Sequence, residues 1–459
     1  MLGVAGIFIS LALLVFVAQR GWSVIFMAPV CASVALLFSR DDLPFLATYT
    51  QIFMPAMGGY VATYFPLFLL GAVFGKLMDA SGSARAIALR IVGWLGPRQA
   101  ILAVVLSCAV LTYGGVSLFV VAFSVYPIAA SLFRAANVPK RLIPATIGLG
   151  SFTFTMVAMP GTPSIQNAIP IPFFQTTIYA APGLGLVASV FMFALGMSWL
   201  TRRARLARTA GEGYGEHRDE AVEDEQVPPF LVALLPIVTV LVVNLVLSRW
   251  VIPAFDHGEL ATDRFKHVEL KKVLALWAII GAMGAAIVVV IATNLRRIAS
   301  PRAAISAGTI GSLLPMANTA SEVGYGAVIA ALASFSLVSE GLRHVAADPV
   351  VSLWLVVTVL AAMTGSASGG MSLALGAMGK SYADAAAAAH IDPAIMHRIA
   401  SMGSAALEIL PHNGAVITLL AICGLTHKES YFDLFIVGSM TAFVASLVVL
   451  GLYLTVGVF

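Results

Sequence analysis

Leu410-Pro411-His412-Asn413-Gly414 interrupts an otherwise apolar run over residues 395–425. Proline and glycine stop a helix, and the freed backbone groups need partners that lipid does not supply. Irregular backbone at membrane depth is tolerated only beside protein or a water-filled cavity. Secondary transporters build substrate and ion sites from such broken helices. The stretch therefore predicts a membrane protein organised around a broken helix.

Composition points the same way. Of 459 residues, 60% are hydrophobic and 10% charged, where a soluble domain carries about 25% charged residues. Apolar runs at 4–18, 24–38, 100–111, 184–200, 229–247, 273–292, 350–363 and 432–456 each read as a spanning or re-entrant helix. The first has no basic segment before it and no clear cleavage site after it, so it is expected to stay as a span. Cys31, Cys108 and Cys423 lie inside apolar segments and read as packing residues, with no disulfide or metal framework. The net charge of +4 flanks the membrane segments; it bears on orientation and gives no case for nucleic acid.

The chain also repeats itself. Gly71-Ala72-Val73 recurs as Gly326-Ala327-Val328, and Gly114-Gly115-Val116-Ser117-Leu118 as Gly369-Gly370-Met371-Ser372-Leu373, both 255 residues on. Val138-Pro139 answers to Asp392-Pro393, and Met159-Pro160 to Leu410-Pro411. Residues 76–98 carry Lys76, Arg85, Arg90 and Arg98 against Asp79, whereas the equivalent 340–349 carry Arg343 against Glu340 and Asp348. Positive residues favour the cytoplasmic side, so the two segments are expected to face opposite sides as an inverted repeat. The expected organisation is a first membrane repeat at 1–200, a cytoplasmic linker at 201–227 and a second, inverted repeat at 228–459. Residues 249–272, expected outside, fit this map least well: they carry five basic residues beside four acids.

Each repeat predicts a re-entrant hairpin followed by a broken helix. The first hairpin has arms 99–112 and 116–133 meeting at Tyr113-Gly114-Gly115; its mate is 350–379, with a tip at 364–370. The first break is Met159-Pro160-Gly161-Thr162-Pro163-Ser164 and the second is the opening stretch. Together they supply nearly all the intramembrane polar groups: Tyr113, Gly114, Gly115, Ser117, Thr162, Ser164, Gln166 and Asn167 from the first repeat, and Thr364, Ser366, Ser368, Gly369, Gly370, Ser372, His412, Asn413 and Thr418 from the second. Hydroxyls, amides and exposed N–H groups suit an organic carboxylate, and glycine lets it approach the backbone. Taken singly, each hydroxyl is equally suited to bonding its own preceding turn. Ionisable groups inside the membrane are costly and therefore informative. Glu322, Glu408 and His412 are the coupling candidates; if the helix continued, Glu408 and His412 would share a face. The segment 374–381 lacks the first glycine of a phosphate-binding loop, and neither a zinc-binding histidine motif nor a nucleophile elbow occurs, so no enzyme and no cofactor are expected.

Phe74-Gly75-Lys76-Leu77, the segment 82–87 (GSARAI), 159–167 (MPGTPSIQN) and 410–430 (LPHNGAVITLLAICGLTHKES) together resemble the gluconate–proton symporter family of the ion-transporter superfamily. The resemblance covers most of the chain apart from the linker. It implies an all-α polytopic membrane protein of two inverted repeats, elevator-type movement, a homodimer and an inner-membrane location. Gluconate-transporting members read closer to His-Pro-Gly-Pro at the first break. Met159-Pro160-Gly161-Thr162 is more similar to hydroxybutyrate or short-chain organic-acid permeases. The expected function is proton-coupled symport of a small organic anion. Sodium coupling and a passive anion channel are the alternatives.

Overall fold

The computed structural model describes residues 2–456 except 21, 40–42, 117, 217–226, 256–257, 266, 338–347 and 412. Ser117 and His412, and Glu340 and Arg343 from the charge comparison, thus lie outside the described residues. Among the described residues every regular element is helical. In chain order they are α1 (Leu2–Gln19), α2 (Val24–Phe38), α3 (Phe45–Ala80), α4 (Ser83–Leu95), α5 (Ala100–Tyr113), α6 (Leu118–Ala135), α7 (Ile143–Ser151) and α8 (Pro182–Thr209). Then follow α9 (Phe230–Ala254), α10 (Leu270–Asn294), α11 (Pro301–Ala331), α12 (Pro349–Thr364), α13 (Ala367–Ala388), α14 (Pro393–Ala406), α15 (Gly414–Ile422) and α16 (His427–Val456).

Among the described residues, five segments are long and apolar enough to cross a membrane: Phe45–Ala80, Pro182–Thr209, Phe230–Ala254, Val273–Asn294 and His427–Val456. A sixth would be the pair Ser83–Leu95 and Pro97–Tyr113, bent by 105°. Every predicted apolar run falls in a helix. The apolar runs read from the sequence leave out α3 and α11, of which α3 is nonetheless apolar enough to cross. α3 passes through a π-helical turn at Tyr49–Phe53 and keeps Pro66 inside it, and α11 keeps Pro315 and Glu322. These two pack along each other at the centre of the molecule.

Local chemistry sets the ends. Asp348 caps α12 by accepting from Val350 N–H at 2.8 Å, Ser366 caps α13 from Gly369 N–H at 3.0 Å, and Asp392 caps α14 from Ala394 N–H at 2.8 Å. α5 and α6 pack as a pair, as do α12 and α13. Their tips turn on Gly115 and Gly365, at φ +88° and +63°, a backbone region other residues enter only with strain. The second tip is shorter than expected: helix resumes at Ala367, which places Ser368, Gly369 and Gly370 in the first turn of α13.

The two halves contact their hairpins unequally. α13 lies along α11, whereas α6 barely touches α3. A space is left on the α3 side.

Candidate functional site

At the first break, helix is reduced to short turns at Phe154–Val157, Ile165–Ala168 and Ile171–Phe174. Each freed backbone group finds a partner. Gly161 N–H donates to Ile178 O at 3.0 Å, and Tyr113 Oη donates to Pro160 O at 2.8 Å. Asn167 Nδ2 donates to both Thr162 O and Ile178 O at 2.9 Å. Carbonyls only accept, so this fixes the amide and turns Asn167 Oδ1 towards α14.

There it accepts from Arg398 Nη1 and from His397 Nε2, each at 3.1 Å. His397 therefore carries its proton on Nε2, and in the neutral ring Nδ1 accepts from Thr176 Oγ1 at 2.6 Å. Arg398 is fully buried; it also donates to Val157 O at 3.1 Å and to Ala180 O at 3.1 and 2.7 Å. Ser401 Oγ reaches Val157 O at 2.9 Å. One helix of the second half thus holds the broken backbone of the first. The run over 395–425 is accordingly less apolar than read above, since it hides His397 and Arg398.

At the second break, α14 ends at Ala406 and helix restarts at Gly414. Glu408, Ile409 and Leu410 lie beyond the end of α14 in non-helical backbone, so Glu408 is not on a helix continued from α14. Ile409 N–H donates to Ser439 Oγ at 3.0 Å, which a π-helical turn of α16 at Ile436–Met440 presents. Tyr431 Oη donates to Ile409 O at 3.1 Å and His427 Nε2 to Pro411 O at 2.9 Å. Asn413 caps α15, accepting from Ala415 N–H at 2.7 Å, and its Nδ2 donates to Glu408 O at 3.2 Å. Glu408 is 5% exposed, and its Oε2 has no hydrogen-bond partner among the described residues.

Against the first break lies a cavity of about 260 Å³. The first hairpin tip brings Gly115 and Val116, the first break Ser164 and Gln166, and the second hairpin Ser368. α3 contributes Gly71 and Ala72, and α11 contributes Gly311, Ser312 and Pro315. Among the described residues no charged side chain lines it. Larger recesses, of about 460 Å³ beside Arg98, Arg205 and Arg208 and about 430 Å³ against the apolar α1, lie away from both breaks.

The sequence-predicted residues therefore separate into groups. Gly115, Ser164, Gln166 and Ser368 line the cavity. Tyr113, Asn167, Ser366 and Asn413 brace backbone behind it. Thr162 is buried with its hydroxyl unpartnered. Gly114 packs on Ile237, Gly370 on Ala361, and Gly369 faces Glu322. Thr364 bonds its own helix at Leu360 O, and Thr418 is on an exposed bond to Gly414 O. His397, Arg398, Tyr60 and Ser312 were not anticipated; an arginine inside a membrane run was the available signal for the first two.

Residues 2–456 match the family described as GntP family permease. The chain belongs to the GntP permease family. A curated relative, "Uncharacterized transporter YxjC" of Bacillus subtilis (strain 168), is 46% identical over 445 residues, 94% of each chain. Among solved structures, the Alcanivorax borkumensis YdaH transporter, reported to have an unusual topology, aligns over 88% of each chain with a TM-score of 0.58 and 15% identity. At that identity the likeness is one of fold. This GntP-family chain is a multi-pass transporter of the bacterial plasma membrane.

Proposed function

We propose that this permease imports a small organic anion together with protons, and that the anion binds in the cavity between the hairpin tips, the first break and α3–α11. The cavity carries the reading. It is the place where the re-entrant tips, a helix break and the two central helices converge. Its polar groups are neutral: hydroxyls of Thr112, Ser151, Ser164, Ser312 and Ser368 and the Gln166 amide. The N-termini of α6 and α13 open onto it near Leu118 and Ser368, and the positive ends of helix dipoles favour an anion. Leu67, Phe68, Met156 and Ile165 supply apolar walls. Its 260 Å³ is room for a small organic acid such as 3-hydroxybutyrate, and the apolar walls suit an acid with few hydroxyls.

In the same reading, residues 1–200 and 228–459 are inverted repeats joined by the linker 201–227. α5 and α12, at 14 and 16 residues, extend roughly 21 and 24 Å, short of the ~30 Å hydrocarbon core, which supports re-entrant first arms. The unequal seating of the two hairpins supports one position of an elevator-type carrier that alternates between two. Two copies associate as a homodimer. Glu408, Glu322 and His412 remain the coupling candidates. Uptake of labelled acids of three to six carbons, with proton and sodium gradients imposed separately, tests the reading; acceleration by sodium alone would replace the proton.

A further inference from the structure

Away from the cavity, the contact between α11 and the first turn of α13 buries a second polar group. Glu322 is 6% exposed, Tyr60 6% and Ser372 2%. Glu322 Oε2, Tyr60 Oη and Ser372 Oγ all lack a well-formed hydrogen bond, although the Tyr60 hydroxyl sits beside Ser372 and within the field of Glu322. The carboxylate fills the space a side chain at Gly369 would take. The amides of that turn do not serve it: Gly369 N–H donates to Ser366 Oγ at 3.0 Å and Gly370 N–H to Ser366 O at 2.9 Å. Among the described residues no cation pairs with Glu322.

An ionised carboxylate buried without a partner is strongly unfavourable, so this state needs a proton or a metal cation on Glu322. The surroundings favour the proton. The nearest backbone is the start of a helix, whose positive dipole end repels a cation. Sodium sites in transporters draw on unwound carbonyls, whereas Glu322 and Ser372 lie inside helices whose carbonyls are engaged. The titratable neighbours are Tyr60 from α3, Tyr325 one turn on along α11 with Cys31 from α2, and Glu408, which takes a hydrogen bond from Ala367 N–H. None is a base. Positions 367 and 369 are about 200° apart around α13, so Glu408 and Glu322 hold different sides of the turn.

We propose that Glu322 is a proton-binding latch: its protonated carboxyl, with Tyr60 and Ser372, seats the first turn of α13 against α11, and loss of the proton frees the hairpin. The latch deepens the transport reading above and would make hairpin release the proton-dependent step.

Val323 and Gly376 face each other across this contact, a Cβ at Gly376 standing 3.6 Å from Val323 Cγ1. A Val323→Cys, Gly376→Cys pair, in a chain whose three native cysteines are replaced, reports hairpin seating by oxidative cross-linking and needs no substrate. Measured relative to the same pair carrying Glu322→Gln, which removes the intrinsic pH dependence of thiol oxidation, cross-linking is expected to fall about threefold or more as pH rises from about 6 to 9. A ratio independent of pH overturns the latch, and so does cross-linking that rises with sodium at fixed pH. If the Gln variant does not fold, Glu322→Asp keeps an acid in place and its cross-linking must remain pH-dependent; a flat profile again overturns the proposal. In proteoliposomes Glu322→Gln, which cannot lose the proton, is expected to lose proton-driven accumulation, and retained accumulation contradicts the latch. If the unaltered protein moves no acid, the transport reading fails, while the cross-link still decides the latch.

Discussion

Gln166 and Arg398 show how differently two polar residues near one break are used. Gln166 lines the cavity with few competing partners, so its amide is free for a carboxylate. A hydrogen bond to a charged group contributes about 1.5–3 kcal/mol, so Gln166→Ala is expected to raise the apparent KM for the acid roughly tenfold or more with normal protein yield. An unchanged KM in uptake assays removes Gln166 from the site. Arg398 touches no part of the cavity lining and satisfies carbonyls and the Asn167 amide instead. Arg398→Ala leaves those acceptors unpaired in a fully buried place and is expected to cost about 3 kcal/mol or more. Arg398→Lys keeps the charge without the five-donor fork and should fall between. Thermal melting in detergent orders the three, and equal melting of Lys and Ala variants contradicts the donor-fork account.

At the scale of elements, the first turn of α13 is defined by what it excludes. Gly369→Ala drives a methyl into the Glu322 carboxylate, which must swing out of the place it holds against the first turn of α13. We expect it to destabilise by about 1–3 kcal/mol and to lower cross-linking of the Val323–Gly376 pair at every pH. At the opposite, basic end, Asp433 joins three elements: it accepts from Arg141 Nη1 at 2.8 Å, Arg203 Nε at 2.7 Å and Trp199 Nε1 at 2.9 Å. Glu212 extends the network, and its hydrogen bond from Arg141 holds its carboxyl below the usual carboxylate range, against some desolvation. A lowered pKa contributes stability that is present above the unfolded value and lost as pH falls through the folded one. The melting temperature is therefore expected to drop on acidification below the usual glutamate range, and Glu212→Gln should remove part of that slope. A slope unchanged in the Gln variant would assign it to other carboxylates.

For the whole molecule, what the sequence disclosed follows from which physical signals are local. Pro66 and Pro315 are carried inside helices, whereas Pro160 and Pro163 flank Gly161 and Pro411 is followed by the helix-capping Asn413 and Gly414; that combination made both breaks legible, and Gly115 and Gly365 marked the hairpin tips. Average hydropathy reports lipid exposure, and it weakens where a helix faces protein. α11 buries Gly308, Ser312, Ser321 and Glu322 and so lacks the uniform apolar signature. The partners of Arg398 were hidden because Ala180 and Val157 lie more than 200 residues away in sequence. The condition on which Glu408 and His412 would share a face, a helix continuing past residue 408, is not met, because α14 ends at Ala406. These pieces meet around one small, uncharged cavity at the junction of both hairpins, and the central claim is that it carries an organic anion with a proton. The most direct measurement is uptake of labelled 3-hydroxybutyrate into proteoliposomes holding the purified protein, under an inward proton gradient, an inward sodium gradient, or neither. The account predicts accumulation above equilibrium with the proton gradient alone, abolished by a protonophore and lowered by Gln166→Ala. Equal, non-accumulating entry under all three conditions, with no acceleration by preloaded unlabelled acid, would contradict it.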